Sequence, residues 1–279
     1  MKSKVSFLMI LLAVTTAFSQ KKTEKLKGSK VVTTKDFVVA DFSSVSVNDA
    51  LEVSFIKADS ASVQLEADDN LHHVLKVGNT SGRLTLNLSD KLRSYKKFEV
   101  VVYYTETLKK VEANDQAKLM ILDEMDVEEQ HFKINDKAKL YLNLKAKKAT
   151  VEINHDAEAE LNTKTESIHF ILTKSGSIKA LVASTEMKID QYQKSKTIFE
   201  GDVIDLKIRT DNNAKFEGRK LTAKNVEILA EGYSETSVFA ETSIKINAFA
   251  NSQITLFGEP TIELEKFTGK TTLKKNILK

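Results

Sequence analysis

The sequence has no cysteine and no tryptophan, one proline and only nine glycines among its 279 residues. Without cysteine, the chain can form no disulfide framework, and it cannot carry the cysteine-linked lipid anchor of bacterial lipoproteins. Without tryptophan, it lacks one of the rings on which carbohydrate-binding surfaces usually rely. Because proline removes a backbone donor, its near absence is compatible with long, uninterrupted hydrogen-bonded ladders.

An excess of charge of one sign is also missing, since 42 lysines and arginines face 39 aspartates and glutamates. The two signs are interleaved, so the chain has no basic patch that would favour nucleic acid as a partner. The longest apolar stretch, Val5–Val14, is too short to span a bilayer. Lys2 and Lys4 before it, and Ala17-Phe18-Ser19 after it, predict a secretory signal.

The pattern of residues divides the chain into four predicted segments. They are a signal peptide at 1–19, a lysine-rich linker at 20–35, a strand-rich N-terminal region at 36–107, and β-helix repeats with a C-terminal cap at 108–279. We expect export to the periplasm or the cell surface, without a lipid anchor and without a transmembrane segment in the mature chain.

A recurring motif dominates the last segment. Its first copies are Asn114-Asp115-Gln116-Ala117, Asn135-Asp136-Lys137-Ala138 and Asn154-His155-Asp156-Ala157. A small residue then continues to mark each unit at intervals of 18 to 21 residues: Gly176, Ser195, Ala214, Ser234 and Ser252. A fixed period of this kind indicates stacked units that cannot bury their apolar faces alone.

A unit of about 19 residues is too short for a helix-turn-helix repeat, which needs 30 or more. Apolar residues recur at every second position within the units. The preceding region shows the same pattern, as in Phe98, Val100, Val102 and Tyr104, and this period of two is typical of strands. Three short strands with tight turns would fit the length. The sequence therefore predicts an all-β protein, a right-handed parallel β-helix behind a strand-rich N-terminal capping region.

Stacking also suggests what the motif does. Asn114, Asn135 and Asn154 would lie above one another and form a hydrogen-bonded ladder of amides. The alanines would close turns with little room for a larger side chain. We predict that these six residues form a structural turn column: Asn114, Asn135, Asn154, Ala117, Ala138 and Ala157.

Residues with the chemistry of a site are few. Asp115, Asp136 and Asp156 could align on consecutive coils as a carboxylate column, although aspartate in a turn ordinarily satisfies backbone donors. One ring of Tyr103-Tyr104 must face outward if the strand alternates. These five are weak candidates for a ligand surface. The five histidines lack the spacing of a metal site, and we predict no catalytic, metal-binding or cofactor-binding residue.

The chain resembles the bacterial exported head GIN domain family, whose members are labelled "putative auto-transporter adhesins". The resemblance covers roughly residues 37 to 275. It rests on Asp36-Phe37 to Val47, Asp69-Asn70-Leu71, Gly82-Arg83-Leu84-Thr85-Leu86, the Asn-Asp-x-Ala units and Phe257-Gly258-Glu259-Pro260. It implies a strand-rich part that continues into a β-helix in an envelope or surface protein, and it supplies no functional residues. The repeats here are richer in lysine and poorer in glycine.

The sequence favours the first of three functions and leaves the other two as alternatives. The first is an exported, non-catalytic binding or adhesion module of the envelope, with a glycan or an envelope or surface protein as its partner. The second is an enzyme that acts on polysaccharide, because many lyases and hydrolases are β-helices. The third is a structural spacer of the envelope.

Overall fold

The computed structural model describes residues 26–277, so the predicted signal peptide lies outside the described residues. The described chain is almost entirely β-structure and forms a solenoid of about nine turns with coils of about 19 residues. This confirms the predicted fold class and period. No helix among residues 26–277 is long and apolar enough to cross a membrane.

The strands and the one short helix follow one another along the chain. In order, they are β1 (Leu26–Lys27), β2 (Val32–Val38), β3 (Ser44–Val47), β4 (Glu52–Lys57), β5 (Ser62–Asp68), a 3₁₀ helix (Asp69–Val74), β6 (Leu75–Thr80), β7 (Arg83–Leu88), β8 (Leu92–Arg93), β9 (Phe98–Tyr104), β10 (Lys110–Ala113), β11 (Lys118–Ile134), β12 (Lys139–Ile153), β13 (Glu158–Leu172), β14 (Ser177–Gln191), β15 (Lys196–Thr210), β16 (Lys215–Ala230), β17 (Glu235–Ala248), β18 (Gln253–Phe257), β19 (Thr261–Phe267) and β20 (Thr272–Lys275).

Each central coil consists of one long strand and one four-residue turn, and not of the three short strands expected from the sequence. In β12, burial alternates from Leu140 to Ala146, breaks at the exposed pair Lys147-Lys148, and resumes from Ala149 to Ile153. The break is a corner. The strand turns there without ending, because the neighbouring strands turn at the same register and most of the ladder hydrogen bonds survive.

Parallel, in-register pairing stacks like residues on like residues through the interior. One inward column runs through seven successive coils, and each of its members is at least 98% buried: Phe132, Val151, Phe170, Ile189, Ile208, Ile228 and Ile246. Burial of each such side chain contributes about 1.5–3 kcal/mol relative to leaving it in water. Columns of this kind replace the disulfides that the chain lacks.

At the N-terminal end, the order of coils in space differs from their order in sequence. β3 and β4 form a complete coil that lies directly under β10 and β11. β7 and β9 form the coil beneath it, although they come later in the chain. The chain therefore leaves the ladder after β4, builds the end of the solenoid and returns at β10.

Antiparallel strands cover this end. β5 pairs with β2 and β9, and β6 pairs with β7. The described part of the predicted linker is not a solvated tether, because it contributes β1, paired with β8, and the first residues of β2. The carboxylate of Asp68 connects this segment to the residues before β9, because it accepts hydrogen bonds from the backbone amides of Lys30, Lys96 and Lys97.

At the other end of the described chain, no antiparallel strand covers the solenoid. Among residues 26–277, β19 pairs with β17 alone and β20 pairs with β18 alone. The last described strands continue the parallel ladder, and the C-terminal cap stays a prediction.

Candidate ligand-binding surface

The recurring motif forms the one tight turn of each coil. From the turn at Asp49 to the turn at Gly232, its second residue has a positive φ of 56° to 70°. Aspartate, asparagine, histidine and glycine tolerate this left-handed conformation better than most residues, which accounts for their presence at several of these positions. The fourth residue is fully buried in each turn of the predicted marker series: Ala117, Ala138, Ala157, Gly176, Ser195, Ala214, Ser234 and Ser252.

The first residues of the early turns form a ladder of side-chain amides. Asn135 donates to the Oδ1 of Asn114 at 2.8 Å, and Asn154 donates to the Oδ1 of Asn135 at 3.0 Å. The ladder extends further than the motif indicated, because Asn114 donates to Asn48 at 2.8 Å. Asn48 in turn donates to Asn87 at 2.6 Å. Each partly buried amide thereby finds a partner, and the aligned dipoles reinforce one another.

The aspartates of the turns form a second ladder, which is directed at the backbone. The carboxylate of Asp115 accepts the amide of Asp49 at 3.0 Å, and that of Asp136 accepts the amide of Asp115 at 3.2 Å. In the next turn, the Nδ1 of His155 accepts the amide of Asp136 at 3.3 Å. Asp156 is one position further along its turn and is exposed. The structure thus brings Asp115 and Asp136 together as acceptors of backbone donors, with Asp156 outside that ladder.

The two tyrosines point in opposite directions on β9. Tyr103 is partly exposed, whereas Tyr104 is buried and therefore offers no ring to a ligand. Burial, followed by the charge of Asp123, raises the pKa of Tyr104 to about 12. Of the predicted pair, only Tyr103 could contribute to a surface.

A groove that the motif did not indicate runs along one side of the solenoid, at the corner of its coils. It has a volume of about 620 Å³. Five consecutive strands, β13 to β17, contribute to its walls. Buried Met187 and Leu206 form its floor, while two outward columns form its polar edges. The first column contains Ser167, Glu186, Asp205 and Asn225, and the second contains His169, Lys188, Lys207, Glu227 and Lys245.

Ion pairs and hydrogen bonds hold most of these groups in place. Lys207 and Glu227, which face each other in register, approach to 3.2 Å. In the first column, the amide of Asn225 donates to Asp205 at 2.9 Å. Glu186 has no ion-pair partner among residues 26–277 and is exposed. It is therefore the acidic group of the groove that is most available to a ligand.

Asp190 supports the groove from the adjacent column. It lies within 2.7 Å of the His169 ring and 2.9 Å of the Lys188 ammonium group. Burial acts to raise the pKa of Asp190, but the hydrogen bonds from Lys188 and His169 outweigh it and keep the pKa below its ordinary value. The carboxylate thus stays ionised and orients one histidine and one lysine of the groove wall.

Metal-binding chemistry has no obvious place on this surface. Within the described part of the chain, no three histidine, aspartate or glutamate side chains converge as ligands for an ion.

The sequence pattern missed the groove because its walls come from residues 19 or 20 apart. The signal that could have revealed it is the run of charged residues at the same register beyond each corner: Glu186, Asp205 and Lys188, Lys207.

Comparison with known proteins finds a matching family model and solved structures of similar fold. The family model described as "Putative auto-transporter adhesin, head GIN domain" matches residues 41–181 and 165–260. A crystal structure of a putative adhesin from Parabacteroides distasonis is similar, with a TM-score of 0.68 at 18% identity, covering 91% of this chain and 100% of that one. No curated protein matches the sequence.

Two further solved structures share the fold. A putative adhesin from Parabacteroides merdae has a TM-score of 0.65 at 15% identity, covering 90% of this chain and 99% of that one. A structure described as a putative lipid binding protein from Parabacteroides distasonis has a TM-score of 0.59 at 15% identity, covering 91% and 100%. At these identities, the likeness concerns the fold alone.

Proposed function

Because this chain belongs to the family described as "Putative auto-transporter adhesin, head GIN domain", we propose that it is an exported, non-catalytic adhesion-type module of the bacterial envelope. Its partner is a glycan or an envelope or surface protein. The carboxylates of the turns weaken the catalytic alternative, since Asp115 and Asp136 already accept hydrogen bonds from backbone amides.

The groove on β13 to β17 carries this proposal. Its polar groups project from a continuous parallel ladder, so their positions are set before any ligand arrives and little order has to be gained on binding. One column carries the acids Glu186 and Asp205, whereas the other carries three lysines, a histidine and Glu227. A surface with both signs of charge at fixed positions can recognise a polar polymer or a charged protein face. The rigid backbone beneath them supplies the precise spacing.

Binding of the purified protein to envelope fractions, peptidoglycan, glycan arrays and cell surfaces tests the proposal. Glu186→Arg reverses the available acid of the groove and should lower binding roughly tenfold or more, because like charges then meet. Glu160→Arg is the matched control. Glu160 is also exposed, makes no ion pair within residues 26–277, and lies on the other half of its coil, away from the groove.

The control should bind like the wild type. Equal loss in both variants would place the binding surface elsewhere. Absence of binding to every fraction would contradict the adhesion role and favour a structural spacer instead.

A polysaccharide-acting enzyme is the second candidate, because Glu186 and Asp205 face each other in register in the groove. Adjacent strands lie about 4.8 Å apart, close to the roughly 5 Å carboxyl separation of retaining glycosidases. Incubation with a panel of polysaccharides, followed by measurement of chain length, decides this alternative. Shortening that is lost in Glu186→Gln would establish the enzyme, whereas intact chains would leave the adhesion module.

A further inference from the structure

Positive charge collects at the N-terminal end of the solenoid, where two distant segments of the chain meet. Residues 26–31 and 90–97 contain six lysines and arginines and a single acid, Asp90. The charges of the whole sequence are interleaved, and only the pairing of β1 with β8 brings these two segments together. Five of the six bases are exposed and form what we call the basic surface: Lys27, Lys30, Lys91, Arg93 and Lys96.

Alternation along β1 and β8 sets which side chains point outward. Leu26 and Leu92 face each other in register and pack against the core. The next register pair is Lys27 and Arg93, and both side chains are exposed. Like charges that face each other across two strands repel, unless another group compensates them. The pair therefore presents two adjacent positive charges to the surroundings.

The acids beside this surface are held by other groups. Asp69 and Asp90 each accept the hydroxyl of a serine. Glu66 and Glu99 both pair with Lys97, the sixth base, at 2.7 and 3.3 Å. The five members of the basic surface make no ion pair within residues 26–277.

Asp68 fixes the backbone that carries these bases. Its buried carboxylate accepts the amides of Lys30, Lys96 and Lys97 at 2.9 to 3.0 Å. Gly28 permits this close approach, because a Cβ at that position would overlap the Asp68 carboxylate. The ammonium group of Lys30 also donates to a carbonyl of the second segment at 2.7 Å. Little order therefore has to be gained when a partner binds.

Two exposed apolar side chains accompany the charges. Tyr95 is 44% exposed and rests against the edge of Phe98, and Val31 is 57% exposed. Tyrosine is enriched where proteins meet the interface between a membrane and water, and lysine can lay its apolar stem along such an interface. A soluble polyanion would use the positive charges alone. An anionic lipid surface would use the charges, the ring and the aliphatic side chain together.

We propose that the basic surface binds an anionic lipid surface, with lipid phosphates against Lys27, Arg93 and their basic neighbours, and with Tyr95 among the headgroups. β8 lies between β7 and β9 in the chain, and these two strands form the first coil. The groove on β13 to β17 is therefore several coils away from the bound lipid. The two surfaces are separate, so lipid binding and groove binding can each fail without the other.

Cosedimentation with lipid vesicles tests this proposal. The chain is used without the predicted signal peptide, because the apolar stretch Val5–Val14 would itself enter lipid. It should bind vesicles of phosphatidylcholine and phosphatidylglycerol much more tightly than vesicles of phosphatidylcholine alone, and added salt should weaken the binding. The double variant Lys27→Glu, Arg93→Glu should bind at least about 25-fold more weakly, since each basic residue near an anionic membrane strengthens binding roughly fivefold.

The double variant Lys164→Glu, Lys179→Glu is the matched control. Both lysines are exposed on the flank of the solenoid, make no ion pair within residues 26–277, and change the net charge by the same amount. This control should bind like the wild type, and both double variants should keep the wild-type melting temperature within a few degrees. Equal loss in the two variants would reduce the effect to net charge and overturn the proposal. Failure of the wild type to prefer anionic vesicles would overturn it as well.

Tyr95→Ser separates a lipid surface from a soluble polyanion. It should weaken binding to the anionic vesicles at least roughly threefold, because the interfacial ring is lost. Binding to dextran sulfate, which has no apolar interface, should be the same as in the wild type. A protein that binds dextran sulfate but not the vesicles, or vesicle binding that Tyr95→Ser leaves unchanged, would contradict a lipid partner.

Discussion

The early and late coils of the solenoid share one backbone but differ in chemistry at the turn. Through Asn154, the first turn residue is asparagine, and the amides join in a ladder. From Thr173 onward, the same place is taken by Thr173, Tyr192, Asp211, Glu231 and Phe249. The turn keeps its left-handed residue and its buried small residue throughout. The amide ladder is therefore an addition to the turn and not a condition for it.

What the two halves share is a set of backbone hydrogen bonds. In the early coil, Ala138 donates to the carbonyl of Asn135 at 3.0 Å, and in a late coil, Ala214 donates to Asp211 at 3.3 Å. A further bond locks each turn to the previous one, as between the amide of Asn213 and the carbonyl of Gln193 at 2.8 Å. These bonds need only a left-handed residue and a small one.

The largest effect should come from filling the closed turn in both halves. Ala138→Leu and Ala214→Leu each force several methylene groups into a site with no exposed surface, and we expect each to lower the free energy of unfolding by about 3 kcal/mol. Denaturation in urea measures this. Lys137→Leu, an exposed neighbour, is the control and should cost little. An unchanged midpoint for Ala138→Leu would show that this turn is not packed.

A smaller effect should distinguish the two halves. Asn135→Ala removes the centre of the amide ladder and leaves Asn114 and Asn154 each short of one partner, at a cost of about 2 kcal/mol. Asp211→Ala, at the same turn position in a late coil, should cost about 0.5 kcal/mol or less, because its hydrogen bond is local. Equal losses in urea denaturation would mean that the ladder adds nothing to the early coils.

Acid should affect the late coils through Asp190. Its pKa is lowered in the folded protein, so its contribution to stability is fully present above the ordinary value of 3.8 and is lost as the pH falls through the folded pKa. We expect the melting temperature of the wild type to fall more steeply below about pH 4 than that of Asp190→Asn. Parallel curves for the two proteins would contradict the assignment.

The smallest effect should be a gain. Ala250 has a φ of 62°, a conformation that costs an alanine about 1 kcal/mol. Ala250→Gly should therefore raise the free energy of unfolding by about 0.5 kcal/mol, offset in part by the freedom of glycine in the unfolded chain. Asp136→Gly in the early half should bring no gain, because it removes the acceptor for the Asp115 amide. Melting curves of the two variants decide between these outcomes.

Much of the fold could be predicted, because a period of about 19 residues is a local property of the chain. The buried fourth residues of the turns follow the predicted markers, even where Gly176 or Ser195 replaces alanine. Asn48-Asp49 was missed as a member of the column. It is the same Asn-Asp pair and follows the alternating residues Val45 and Val47. However, 66 residues separate Asn48 from Asn114, and no local period spans that distance.

The candidate surface was less predictable. Asp115 and Asp136, the carboxylates that the repeat motif singled out, accept hydrogen bonds from backbone amides. The groove acids Glu186 and Asp205 looked ordinary, because each belongs to a different coil and only the corner brings them to one concave side. Sequence spacing indicates which residues share a column, whereas the bend of the strand decides which columns face a groove.

By itself, the sequence determined the repeat, its length, and the small residue that closes each turn, because steric room and hydrogen bonding act within a single coil. Only the tertiary structure decided that β3 and β4 form a coil beneath β10, and that each central coil is a continuous strand with a corner. The physical reason is distance along the chain. A turn is specified by a few neighbouring residues, whereas stacking, grooves and edges depend on what the rest of the chain places above and below.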